Sequence, residues 1–256
     1  MKLSRLKIML GVAVLALSPA ISFAAPGDGI AGTDHDFATT GGANASATPV
    51  GVCTFCHTPH KAQSTLLLWN HTLSSNTFSW DVAKTTAGTE FPSIAGGTYK
   101  GPTAKCLSCH DGSVAIGDIA WFNDAAYPGG TGMQTTKITG SHQMTTATGG
   151  MAGNHPVAMP YPYNNATSTY NNKTTGTGIV LAEWQADPSS GTKIRMFNDD
   201  GTGAISAGPV AAKTGIECST CHDPHNKAAV DEMFLRGKMT GSSKADGYLC
   251  LQCHIK

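Results

Sequence analysis

Four times in this chain two cysteines stand three positions apart with a histidine directly after the second. The triplets are Cys53/Cys56/His57, Cys106/Cys109/His110, Cys218/Cys221/His222 and Cys250/Cys253/His254. They use all eight cysteines and four of the ten histidines. Composition alone puts histidine at a given position roughly once in twenty-five, so four placements out of four have a chemical cause. Zinc ribbons also use Cys-x-x-Cys pairs, but nothing in them requires the histidine. Disulfides, the default in an exported protein, do not require it either.

Cys-x-x-Cys-His is the attachment pattern of c-type haem. Two thiols add across the porphyrin vinyl groups as thioethers. The two intervening residues close a helical turn that matches the vinyl spacing, and the next residue projects beneath the iron, where imidazole binds. The sequence therefore predicts four covalently bound haem c groups, with His57, His110, His222 and His254 as proximal ligands. No cysteine is left over for nucleophilic catalysis, and no catalytic residue is assigned.

Two of the motifs continue. "CTFCHTPH" places His60 three residues after His57, and "CSTCHDPH" places His225 three after His222. Two imidazoles on one iron hold their Cα atoms roughly 12–13 Å apart, while three extended residues span at most about 10–11 Å. His60 and His225 therefore cannot close the haems of their own motifs. As ligands they serve different ones, which would bring neighbouring porphyrins close together. Proline stiffens both turns. Each half of the chain carries one such extended motif followed by a plain one, an internal repeat of haem pairs.

Six histidines lie outside the motifs: His35, His60, His71, His142, His155 and His225. Four distal ligands are needed for complete bis-histidine ligation. The expected set is His60, His225, His155 and His35, with His142 and His71 as weaker candidates. His71 follows the apolar run "LLLW" and has a packing role as its alternative. Met144, Met151 and Met159 are available as ligands that would raise the potential.

The elements that must position these groups are sparse. Only 13% of the chain is charged, against about 25% in ordinary soluble domains. Thirty glycines and thirteen prolines leave few long amphipathic runs. The expected fold class is mostly irregular coil with short helices and little sheet, a multihaem cytochrome c whose core is built around four covalent haems. The motifs should sit on short helical turns. "VDEMFLRGK" (230–238) reads as a helix, "LAEWQ" as a short helix or strand, and "GTGIVLAEW" with "TKIRMFND" as a hairpin. Segments 83–105 and 124–178 have loop composition.

Residues 1–24 read as a signal peptide: a basic start, an apolar run at 8–17 too short to span a bilayer comfortably, and small residues before Ala24. No cysteine precedes Cys53, so a lipid-modified N-terminal cysteine is not expected. Removing the leader leaves fourteen basic and seventeen acidic residues, a net charge of −3. No basic patch points to nucleic acid, and no stable membrane insertion is expected. Residues 25–256 then form a single tetrahaem domain: haem pair 53–110, loop-rich insert 111–217, haem pair 218–254. Asn165 lies in a glycosylation-type sequon of little weight.

The segments "HDF", "CTFCHTPH", "LWNH", "CLSCHDGSVAIGD", "NHPV", "CSTCHDPH" and "LCLQCH", in that order, resemble the paired Cys-x-x-Cys-His multihaem cytochromes of metal-respiring bacteria. With four haems the chain is similar to their filament-forming outer-surface members. That resemblance implies haems running continuously through a polymer, with His35 of one subunit completing a haem of its neighbour. It also implies export to the outer surface or beyond, with other redox proteins or metal oxides as electron acceptors. The expected function is extracellular electron transfer along stacked bis-histidine haems, in a polymer or, alternatively, in a monomeric periplasmic or outer-surface shuttle. A multihaem reductase fits less well: it needs an open axial position and acid–base groups, and histidines are in surplus.

Overall fold

The computed structural model describes residues 24–37, 51–60, 62–63, 66–79, 99, 101–120, 136–146, 149–164, 171, 179–202 and 204–255. The signal-peptide expectation lies outside these residues except for Ala24, and much of 83–105 and 124–178 lies outside them too. Among the described residues, coil dominates. There are two helices, α1 (Pro102–His110) and α2 (Cys218–Cys221), and single 3-10 turns at Leu66–Leu68, Gly140–His142, Leu181–Glu183 and Cys250–Gln252. None of the described helices is long and apolar enough to cross a membrane.

Helix α1 starts where Pro102 occupies the first turn, a position whose N–H has no partner in any helix. It ends at Asp111, and Gly112 leaves it with φ +70°; a Cβ there would meet the Ile138 carbonyl and the Gln143 side chain at 2.8 Å. Residues 102–105, which have loop composition, are thus the opening turn of the helix that carries Cys106 to His110.

Four strands make one small antiparallel sheet: β1 (Met159–Pro160), β2 (Phe197–Asp199), β3 (Ile205–Ala207) and β4 (Thr214–Ile216), in the order β1-β4-β2-β3. Phe197 pairs with Ala207 on one side and with Gly215 on the other. Among the described residues, the hairpin expected between "GTGIVLAEW" and "TKIRMFND" is not seen: 179–184 makes no strand pair with β2, which pairs with β3 and β4. The chain turns straight back after β2, because Asp199 and Asp200 accept the backbone N–H groups of Gly201 (2.8 Å) and Thr202 (2.7 Å) in turns typical of Asp. "LAEWQ" instead forms the turn Leu181–Glu183.

The helix expected over 230–238 is also absent. Asp231 draws the N–H groups of Glu232 and Met239 to its side chain at 2.8 Å each. Met233 and Phe234 take left-handed conformations, φ 56° and 60°. Their carbonyls are spent elsewhere, as described below.

Side-chain burial is divided among small clusters. Phe37, Phe55 and Ile116 form one; Tyr99, Ala158, Phe197 and Ile205 another; Tyr161, Tyr163, Ile194 and Met196 a third; Phe78, Leu107 and Met151 a fourth. The third sits under the sheet and the last motif, where Tyr161 donates its hydroxyl to the carbonyls of Gln185 (2.7 Å) and Cys253 (3.1 Å).

Candidate haem attachment sites

Every Cys-x-x-Cys-His lies on a helical turn. The histidine N–H donates to the carbonyl of the first cysteine in three of them: His57 to Cys53 (2.8 Å), His222 to Cys218 (3.0 Å) and His254 to Cys250 (3.0 Å). His110 closes α1 in the same way. This turn sets both thiols and the imidazole on one side of the chain, as thioether attachment needs. None of the eight cysteines is in a disulfide. Among the described residues no three His, Cys, Asp or Glu side chains converge on a metal-ion site.

Three of the motif imidazoles are oriented by carbonyls. His57 Nδ1 donates to Leu67 (2.6 Å), His222 Nδ1 to Met233 (2.7 Å) and His110 Nδ1 to His142 (2.8 Å). A carbonyl only accepts, so Nδ1 carries the proton and Nε2 keeps its lone pair for iron. The His254 ring lies 4.4 Å from the Trp184 ring. Its segment is held by Gln185 N–H on Cys253 O (2.8 Å) and by Ile255 N–H on Glu183 O (2.7 Å).

The two extended motifs share a support that the sequence did not announce. After the first, Thr58 N–H reaches Leu68 O (2.9 Å), Asn70 N–H reaches Cys56 O (2.9 Å) and Asn70 Nδ2 reaches Thr54 O (2.5 Å). After the third motif, Asp223 N–H reaches Phe234 O (2.7 Å), Arg236 N–H reaches Cys221 O (2.8 Å) and Arg236 Nε reaches Ser219 O (3.1 Å). Leu67 and Leu68 have φ 60° and 51°, matching Met233 and Phe234. Left-handed backbone at consecutive branched or bulky residues is costly. Here it aims one carbonyl at the proximal imidazole and the next at the residue after it. "LLW" and "MFL" share only an apolar character, so composition hid the equivalence.

The remaining histidines separate into groups. His35 has its ring 6.2 Å from that of His110 and stacked on Phe234 at 4.7 Å, with Nδ1 3.4 Å from Pro224 O. Burial first, then the nearby His110, lowers its pKa to about 4, and burial likewise lowers that of His110. Both rings are therefore neutral at neutral pH, the form that binds iron. His225, though exposed, has its ring 6.1 Å from His57, nearly parallel at 24°. His60 and His155 are exposed, and His155 Nδ1 turns back to Pro156 O at 3.0 Å. His142 contributes its carbonyl to His110 while its side chain is exposed. His71 is buried, with Nδ1 2.8 Å from Thr72 O, Nε2 2.9 Å from Ala115 O and the Cys109 sulfur 3.3 Å from Nε2.

The motifs adjoin one another in chain order. Cys56 lies near enough to Cys109, and Cys221 to Cys253, to help raise their thiol pKa values, and Cys218 hydrogen-bonds Cys106. Burial pushes the thiols of Cys56 and Cys253 up to about 12 and Cys221 to about 11. The second and third motifs are locked by a buried group. Glu217 Oε2 accepts from the Tyr99 hydroxyl, from Thr103 N–H (3.0 Å) and from Thr103 Oγ1 (2.5 Å), and Cys218 N–H donates to Thr103 Oγ1 (3.1 Å). Among the described residues Glu217 Oε1 has no hydrogen-bond partner.

A family model described as "Doubled CXXCH motif" matches residues 208–256, the segment that carries the last two motifs. No curated protein matches the chain. The match supports a multihaem c-type cytochrome-like family, and the motifs indicate covalently bound haem c.

Proposed function

We propose that this protein is an exported tetrahaem c-type cytochrome that carries electrons outside the cytoplasm along a row of haems. The observation that carries the reading is the recurrence of one arrangement: four attachment turns, three with the proximal Nδ1 handed to a carbonyl. Cys53, Cys56, Cys106, Cys109, Cys218, Cys221, Cys250 and Cys253 would hold the porphyrins, and His57, His110, His222 and His254 their irons. The haem itself supplies a one-electron carrier. The polypeptide sets the imidazole tautomer at His57, His110 and His222, would fill the second axial positions from His35, His60, His155 and His225, and aligns the motifs in chain order. Four apolar rings would also join the divided side-chain clusters into one core, as metals and disulfides do in small domains.

Two forms of this reading differ in what His35 does. In a filament it crosses to a neighbouring subunit. In a self-contained carrier it stays at home. Its contacts with Pro224, Phe234 and His110 of the same chain support the self-contained carrier. Asn226 supports it too, because its Nδ2 ties down Ala25 O (2.9 Å) and Gly29 O (3.0 Å) at the root of that arm.

The test is potentiometry and electron microscopy on the purified holoprotein. Reversible uptake of four electrons per chain without substrate, by monodisperse particles, is the expected result. Filaments whose repeat is one subunit would restore the intersubunit role of His35. Fewer than four electrons per chain would remove the tetrahaem reading.

A further inference from the structure

The paired imidazoles allow the axial ligands to be assigned, on the premise that haem occupies the motifs. An imidazole nitrogen binds a first-row transition metal at about 2.0 Å. Its ring centre lies about 1.1 Å further out, so two rings on opposite sides of one metal have centres about 6 Å apart. The His57–His225 and His35–His110 rings stand 6.1 Å and 6.2 Å apart. Rings in ordinary contact span about 4.5–7 Å, so the spacing is one condition for sharing an iron, and the nitrogen each ring leaves free is the second. In His57, His110 and His35, Nδ1 is turned to a backbone carbonyl, which leaves Nε2 as the free nitrogen.

We infer that His225 is the distal ligand of the haem at Cys53–His57, and that His35 is the distal ligand of the haem at Cys106–His110. The second half of the chain thereby completes both haems of the first half. His225 does so directly. Pro224 and Phe234 act as positioning residues: the carbonyl of the first accepts a hydrogen bond from His35 Nδ1, and the second stacks on its ring. Asn226, buried with φ 56°, holds the arm that presents it. A single segment, 218–236, therefore governs three irons: its own through His222, the first through His225, and the second by seating His35.

The experiment uses the full-length holoprotein and its His225→Ala variant, compared by ferric EPR and by NMR of the tryptophan indole N–H groups. Trp69 lies 5.9 Å from His57, and Trp184 lies 4.4 Å from His254, so each reports on a different haem. We expect one haem in four to become high-spin, with the Trp69 resonance displaced and that of Trp184 in place. Added imidazole should restore the low-spin state, which shows the fold intact. His35→Ala should convert a second haem independently, so the double variant shows two. An all-low-spin His225→Ala protein, or displacement of Trp184 with Trp69 unmoved, overturns the assignment. Haem content by mass separates the two failures: four haems with the wrong response sinks only the pairing, whereas fewer than four sinks the tetrahaem reading beneath it.

Discussion

Asn70 and Arg236 occupy equivalent places in the two extended motifs, yet one is neutral and the other is an ion. Asn70 satisfies the Thr54 carbonyl with an amide. Arg236 satisfies the Ser219 carbonyl with Nε and faces Asp223 at 3.2 Å, both side chains nearly buried. The residue equivalent to Asp223 in the first motif is Thr58. The second solution also carries more duties. Asp223 accepts the N–H of Ala228 (2.5 Å) and so shapes the turn that contains Asn226 and holds the N-terminal arm. A local support with a neutral residue suffices where it orients one imidazole. An ion pair appears where the same support must also organise a hub.

The comparison is most easily broken at the ion pair. Arg236→Met leaves Asp223 buried without its partner and should cost about 3–5 kcal/mol, read from denaturant unfolding of the holoprotein. The double change Asp223→Thr with Arg236→Asn copies the first motif and should recover most of that loss. If it does not, the equivalence of the two supports is wrong.

The second difference lies just before each motif: Val52 precedes Cys53, whereas buried Glu217 precedes Cys218. Burial raises the Glu217 carboxyl from 4.5 to about 7, against the pull of its hydrogen bonds from Thr103 and Tyr99. The unfolded chain loses this proton first as pH rises, so the folded state binds more protons in between. Stability is therefore fully retained below the ordinary carboxyl value and falls as pH rises through about 7, by up to about 3 kcal/mol. Glu217→Gln should flatten that slope, checked by unfolding midpoints at about pH 5 and about pH 8. An unchanged slope would place the proton elsewhere.

Asn70→Ala should cost about 1–2 kcal/mol, because the Thr54 carbonyl loses its donor; equality with the Arg236→Met loss would erase the contrast. The smallest effect is at the left-handed positions. Leu67 and Met233 are each 58% exposed, so glycine there sacrifices little burial and relieves strain. Gains of up to about 1 kcal/mol in each motif, similar in both, are expected from thermal unfolding.

The attachment turns were legible in the sequence because covalent chemistry fixes their spacing: two thiols and an imidazole have one workable order. The scarcity of regular structure was legible from glycine, proline and low charge. What misled was local pattern in segments whose backbone serves a motif. "VDEMFLRGK" has helix-like composition, but its carbonyls at Met233 and Phe234 are claimed by His222 and Asp223. The strand at Phe197 found its partner across the Asp199–Asp200 turn, a turn signal that was available and outweighed by the longer apolar run. Distal positions were harder still. The His35 ring meets His110, and the His225 ring meets His57, only when segments far apart in sequence fold together, as the Asn226 bonds to Ala25 and Gly29 show. The role of the His142 carbonyl had no side-chain signal at all.

The central claim is that this chain presents four irons, each held by two of its own histidines. Ferric EPR of the purified holoprotein, calibrated against haem content by mass, tests it most directly. The account predicts four covalent haems per chain, all low-spin. Fewer haems, or a stoichiometric high-spin signal in the native protein, would contradict it.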